Sequence, residues 1–184
     1  MTTQRTLLRG LFALCIVAQA SCDTRITTPT STTATPNGPH GAPPGPTAPA
    51  ALSNDLQGMI DRTNGEREKY GVAKLSSSAT LNHAAELTAT QLMTSGVFAH
   101  DIPGAAYPFP TDRLKAAGYN VYSAWGENIG KGAAGTTVTA MVAAWIASPE
   151  HHENLVRASF SQIGVAIVVA PNGTVYMVQE FAHP

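Results

Sequence analysis

Cysteine is scarce in this chain. Of its 184 residues two are cysteines, Cys15 and Cys22, which excludes a small disulfide-dense scaffold. Nor is there an apolar run near the roughly 20 residues that a bilayer crossing needs; Gly10 to Ala18 is too short. No internal repeat is visible, and Gly130-Lys131-Gly132 lacks the spacing of a phosphate-cradling loop. Basic excess is absent too. From Leu52 onward eight Lys and Arg stand against eleven Asp and Glu, a formal charge of −3. No nucleic-acid partner is expected without a basic patch.

What is present begins with an export signal. Thr2 to Arg9 carry Arg5 and Arg9 and no acid, Gly10 to Ala18 is apolar, and small residues follow at Ala18, Ala20 and Ser21. That order reads as a secretory signal over residues 1–21. The alternative, a buried N-terminal helix, fits poorly with the disordered composition directly after it. Ala18-Gln19-Ala20 suits an ordinary signal peptidase. Ser21-Cys22 resembles the end of a lipobox, although Gln19 stands where an aliphatic residue is usual. Cys22 would be the lone cysteine of the exported chain, without a disulfide partner, and a lipid anchor gives it a role. Residues 22–50 form a Thr/Pro-rich stalk. Asp23 to Ala50 holds seven of the 13 prolines and buries too little apolar surface to offset its ordering entropy.

Residues 51–184 have the size of one domain, large enough to fold without disulfides. Ser53 or Asn54 can cap a helix to about Tyr70, with Leu56, Met59, Ile60 and Thr63 on one face. Leu75 leads into a second helix, capped by Ser77 or Ser78, with Leu81, Ala84, Ala85, Thr88, Gln91 and Leu92 inward and Gly96 as its stop. A short helix is expected from about Thr111 to Ala117. Trp125 to Gly130 is extended or turning. Thr136 or Thr137 caps a helix carrying Val138, Met141, Val142, Trp145 and Ile146, and Pro149 breaks it or starts another turn. Gln162 to Ala170 and Thr174 to Phe181 form a hairpin around Pro171-Asn172-Gly173. Helices first and antiparallel strands last make an α+β fold.

Specific motifs run through this frame in order. They are Asn64 and Arg67; Phe98-Ala99-His100; Arg113-Leu114 and Gly118-Tyr119; and Gly126-Glu127-Asn128-Ile129. Trp145, Ser148-Pro149, His151, Asn154 and Leu155 follow, then Phe160, Ile163-Gly164-Val165, Gln179 and Phe181. Together they resemble the CAP superfamily of cysteine-rich secretory proteins, antigen 5 and plant pathogenesis-related proteins, in its bacterial, SCP-like form. The resemblance implies an α-β-α sandwich around a three- or four-stranded antiparallel sheet. It also implies a cleft with two His and two acids able to hold a divalent cation. His100, Glu127 and His151 occupy three of those positions, and Ser148 stands where the second acid is common.

Two imidazoles and a carboxylate, with water as fourth ligand, suit a zinc-like ion, and the same groups suit general acid–base work. Each has a plainer role as well. His100 can be a backbone-bonded loop residue, Glu127 can fix its loop, and His151 lies in a Glu150–Glu153 run typical of a solvated helix. His152 is assigned to the surface. Asn128 and Asn154 are expected to satisfy loop backbone, and Trp125 and Trp145 to fill core. Tyr107, Phe109 and Tyr122 are expected at the cleft rim, and Gln179 to reach the cleft. A Ser148–His151 nucleophile would need Glu127 as orienting acid and an oxyanion hole.

The leading expectation is an exported, lipid-anchored, monomeric domain, not a conventional enzyme, that binds a small apolar molecule, glycan, peptide or divalent metal in its cleft. It touches a membrane only through Cys22. A metal-assisted hydrolase using His100, Glu127 and His151, and a structural or adhesive surface protein, are the alternatives.

Overall fold

The computed structural model describes residues 50–184, with side chains from 55 onward. The expected signal, the expected lipid anchor at Cys22 and the expected stalk lie outside the described residues, except Ala50, which opens the first helix. Nine elements follow: α1 (Ala50–Lys69), β1 (Ser76–Ser77), α2 (Ala79–Ser95), α3 (Pro110–Ala116), β2 (Ala124–Gly132), α4 (Val138–Ala147), α5 (Pro149–Val156), β3 (Gln162–Val169) and β4 (Val175–His183).

Local chemistry sets most of the ends. Ser78 caps α2 by accepting from the Leu81 N–H at 3.4 Å, and Gly96 closes it in the left-handed region at φ 72°. That conformation favours glycine, which has no Cβ to clash. Thr137 caps α4 through the Ala140 N–H at 3.2 Å. Pro149 then opens α5, where its missing N–H costs nothing. In α1 the expectation fails. The helix already begins at Ala50, so neither Ser53 nor Asn54 is its cap.

The sheet has the order β1-β3-β4-β2. β2, β3 and β4 pair antiparallel, but β1 pairs parallel to β3, so the sheet is not wholly antiparallel. The cause is the link between α1 and α2. It runs along the free edge of β3, with Ser76 N–H bonding Ser161 O and Ser78 N–H bonding Ile163 O. Leu75 is buried in that link rather than leading a helix. The segment from Trp125 is a true edge strand, where the sequence is compatible with strand or turn.

Strand alternation fixes the layers. Ile163, Val165, Val175, Met177 and Phe181 face α1, α4 and α5, packing with Met59, Val142, Trp145 and Leu155. Ala166, Val178 and Ala182 face α2, against Ala85, Leu92 and Leu81. Gly164 lets α2 lie directly on β3: a Cβ there would stand 2.0 Å from the Leu81 carbonyl carbon. A buried cation ties α1 to the end of α5. Arg67 donates to the carbonyls of Ala73, Leu155, Arg157 and Phe160 at 2.7–3.1 Å. A hydrogen bond from every one of its nitrogens is what makes this buried guanidinium tolerable. No helix among the described residues is long and apolar enough to cross a membrane.

Candidate functional site

The site grows from the pairing of β2 with β4. Ala170 N–H donates to Thr174 O at 2.8 Å, so even-numbered residues of the β3–β4 ladder form its hydrogen-bonded pairs. Glu180 therefore bonds through its backbone to β3. Its partner on the other side, Glu127, meets it as a non-hydrogen-bonded pair, the kind whose side chains approach closest. Both carboxyls point toward α2 and both are buried. Thr88, on the inner stripe of α2, lies over them. Its Oγ1 is 3.0 Å from Glu127 Oε2 and 3.1 Å from Glu180 Oε1.

Arg113 of α3 completes the buried cluster. Its Nε donates to Thr88 Oγ1 at 2.7 Å, Nη2 to Glu127 Oε2 at 3.1 Å and to His100 O at 2.8 Å, and Nη1 to Tyr107 O at 3.2 Å. The guanidinium is thus paired, bonded on each nitrogen and fully buried. At the outer end of the chain, His100 Nδ1 lies 2.7 Å from Glu127 Oε1, with half of the His100 side chain exposed.

Proton counting explains the charges. Thr88 has one hydroxyl proton for two carboxyls, and Glu180 Oε2 is buried with no partner among the described residues. Burial and the neighbouring Glu127 charge push the Glu180 carboxyl well above the ordinary range, so it keeps its proton. Burial also pushes Glu127 up. Hydrogen bonds from His100 and Glu180 and the charge of Arg113 outweigh it, holding Glu127 below the ordinary range as a carboxylate. The Glu127 hydrogen bond raises His100, against a smaller effect of burial.

His151 is carried by α5, which packs against β2. Its Nδ1 is 2.8 Å from Ser148 Oγ, and burial followed by the His100 charge lowers its pKa. α5 is fixed to β2 by amides. Asn128 Nδ2 donates to His151 O and to Gln179 Oε1, both at 3.2 Å. Asn154 Nδ2 donates to Asn128 Oδ1 at 3.0 Å and Glu127 O at 3.3 Å. Gln179 is fully buried, donating to Thr63 Oγ1 at 2.8 Å; it lies beneath the cleft instead of reaching it. The Ser148–His151 contact exists, but Glu127 is bonded to His100, so these three do not line up as a nucleophile triad.

A pocket of about 520 Å³ opens where these parts meet the edge of β2, with His100, Phe109, Trp125, Glu127, Asn154 and Arg157 in its wall. Two expectations need correction here. Trp125 is not core: it is 37% exposed in this wall, whereas Trp145 is buried and donates to Ile129 O at 3.2 Å. The reason is position, since Trp125 stands near the start of the edge strand. His152 is not a free surface group either. Its side chain is only 20% exposed and lies 3.1 Å from Glu66, with Tyr70 edge-on at 5.0 Å. Of the expected rim aromatics Phe109 lines the pocket, while Tyr122 stacks on Tyr119 and Tyr107 is exposed outside the pocket wall.

Sequence reasoning missed Thr88, Arg113 and Glu180 as site residues. Glu180 left one signal, an acid inside an otherwise β-rich closing strand. For a metal, the donor set offers two imidazoles whose Nδ1 atoms are already held, leaving each Nε2 without a hydrogen-bond partner among the described residues. Glu127 spends its oxygens on His100, Thr88 and Arg113. Accordingly, no group of three or more His, Cys, Asp and Glu among the described residues is placed to hold a metal ion. The residues fit, at most, a cation held by two imidazoles.

The profile of the cysteine-rich secretory protein (CAP) family matches residues 60–181. The chain belongs to the CAP family. Its domain is 33% identical over 121 residues to the YkwD protein of Bacillus subtilis (strain 168), covering 66% of this chain but only 45% of that relative. An outer surface protein of Borrelia burgdorferi has the same fold at TM-score 0.63 and 20% identity, over 72% of this chain and 94% of that one. An extracellular SCP-domain protein of Bacillus anthracis (strain Ames) also reaches TM-score 0.63, at 23% identity, over 77% of this chain and 45% of its own. The CAP fold with its four-stranded sheet is thereby established. Relatives of this CAP domain include proteins of the bacterial outer surface and exterior.

Proposed function

We propose that the protein is an exported CAP domain, anchored through Cys22, that binds a ligand in the pocket beside β2. The observation that carries this is the His100–Glu127 contact at 2.7 Å. A buried, Arg113-backed carboxylate fixes one ring nitrogen and turns the rest of the imidazole to the pocket. A binding site needs such preorganised polar groups among apolar walls, and Trp125 and Phe109 supply the walls. The relatives' outer-surface and extracellular settings support export. The test is equilibrium binding of candidate glycans, peptides and fatty acids to wild type, His100→Ala and His183→Ala, the last histidine standing outside the pocket. Loss in His100→Ala alone is expected; equal binding by all three contradicts the reading. Mass spectrometry of the mature N-terminus tests the anchor, and an unmodified Ser21 start overturns it.

A second reading has its own support. His100 and His151 each hold Nδ1 in a hydrogen bond, the arrangement that orients metal-binding imidazoles. A cation there would be held by these two rings and would supply Lewis-acid chemistry. Zinc titration of wild type, His100→Ala and His151→Ala tests it. Binding in the micromolar range that both substitutions abolish supports a metal-assisted hydrolase, and absence of binding removes it.

A further inference from the structure

β2 is the edge of the sheet, and the phase of its pairing with β4 decides which backbone groups face outward. Even-numbered residues of β2 bond to odd-numbered residues of β4, so Trp125, Glu127, Ile129 and Lys131 turn their N–H and C=O groups away from the sheet. An open edge is a template for another extended chain. Two of the outward carbonyls of β2 are closed by side chains. Asn154 Nδ2 covers Glu127 O at 3.3 Å and Trp145 Nε1 covers Ile129 O at 3.2 Å. Trp125 has no such cover, and unlike Ile129 and Lys131 it stands in the pocket wall. Among the described residues its N–H and C=O have no hydrogen-bond partner.

That same stretch of wall carries two exposed aromatic faces, Trp125 at 37% and Phe109 at 52%. Phe109 is held at the entry of α3, whose first turn begins with Pro110. Trp125 cannot retreat inward. The neighbouring Gly126 packs so closely that a Cβ would lie 2.9 Å from Phe160 Cζ and 3.0 Å from Asn154 Oδ1, so the strand is pressed against α5. A donor and an acceptor of one strand residue, side by side and flanked by apolar faces, match the alternating groups of an extended peptide. A fatty chain would bury those backbone groups unpaired, which is costly.

We propose that the pocket takes an extended peptide segment, added to the start of β2 by main-chain hydrogen bonds to Trp125, with its side chains against Trp125 and Phe109. The proposal rests on the reading of the pocket as a ligand cleft and names its ligand class. Main-chain recognition tolerates sequence, so the order of side chains in the segment matters less than its backbone.

The test uses the intact chain, 15N-labelled, with acetyl-Val-Tyr-Val-amide at millimolar concentration. Its analogue methylated on every peptide nitrogen, chitotetraose and palmitate are the other arms. The peptide is expected to shift the amide resonances of Trp125 and Glu127 and to alter the emission of Trp125. Loss of the hydrogen bond to the Trp125 carbonyl, together with the bulk of the added methyl groups, is expected to weaken the methylated analogue by about tenfold. Phe109→Ser, at a side chain half in solvent, is expected to weaken the peptide while the remaining spectrum stays folded. Equal binding of the methylated analogue overturns the proposal. Shifts at Trp125 with chitotetraose or palmitate alone overturn it too, yet leave the ligand cleft standing. If no probe moves these resonances, both the peptide and the cleft fall.

Discussion

Glu127 and Glu180 face each other across β2 and β4, both buried, with the Thr88 hydroxyl 3.0 Å from one and 3.1 Å from the other. The pair gives the site a second carboxyl, from below the cleft and not from position 148. One Arg113 charge balances one carboxylate, and two buried anions beside a single guanidinium would leave an unpaired charge. The second carboxyl therefore keeps its proton, and Glu127 alone faces His100 as an anion.

Glu180→Gln retains shape and a donor while removing the proton equilibrium. Because the folded-state pKa of Glu180 is raised, its contribution to stability is complete below its ordinary value of 4.5. It is lost as pH rises through the folded value. Urea unfolding near pH 4.5 and at higher pH is expected to find the two proteins similar in acid, with wild type losing ground to the variant as pH rises. Parallel stability curves would contradict the shared-proton arrangement.

Arg113→Leu leaves Glu127 buried without its counter-charge, and a loss of about 3–5 kcal/mol is expected. The exposed Arg157–Glu153 pair, at 2.6 Å, is the control. Arg157→Ala is expected to cost less than about 1 kcal/mol from that pair, despite its shorter distance. Denaturant midpoints of the two variants check the contrast.

Two glycines are expected to respond in opposite directions. Gly164→Ala drives a Cβ into the backbone of α2 and is expected to destabilise by about 1–3 kcal/mol or more. Gly58 lies inside α1 with nothing within 4 Å of an added Cβ. Gly58→Ala is expected to stabilise by about 0.5–1 kcal/mol through helix propensity. Thermal unfolding of both variants reads the signs directly.

Much of the architecture is legible in the sequence because local rules and the motifs agree. Ser78 and Gly96 bracket α2, Thr137 and Pro149 mark α4 and α5, and Pro171-Asn172-Gly173 turns the hairpin. The parallel bridge at Ser76–Ser77 is not, because two residues carry no periodicity. In the site, motif positions group His100 with Glu127, and the two do meet. They also group His151 with this pair; its Nδ1 is held by Ser148 and its backbone carbonyl by Asn128. Glu180 escapes notice because its role depends on register, which places it opposite Glu127, and register is set by distant pairing. Thr88 reads simply as one more small residue on a helical stripe. Trp125 looks like core because bulk and apolarity do not reveal that a strand lies at an edge.

The central claim is that buried Glu127 fixes the orientation and charge of His100 at the pocket. Its most direct test is the NMR pH titration of the His100 imidazole in wild type and in Glu127→Gln. The wild-type midpoint is expected above the ordinary 6.5 and is expected to fall when the carboxylate is removed. The stability that this contact contributes is then complete below 6.5 and lost as pH rises through the folded midpoint. A His100 midpoint at or below 6.5 in wild type, unchanged in Glu127→Gln, would contradict the account.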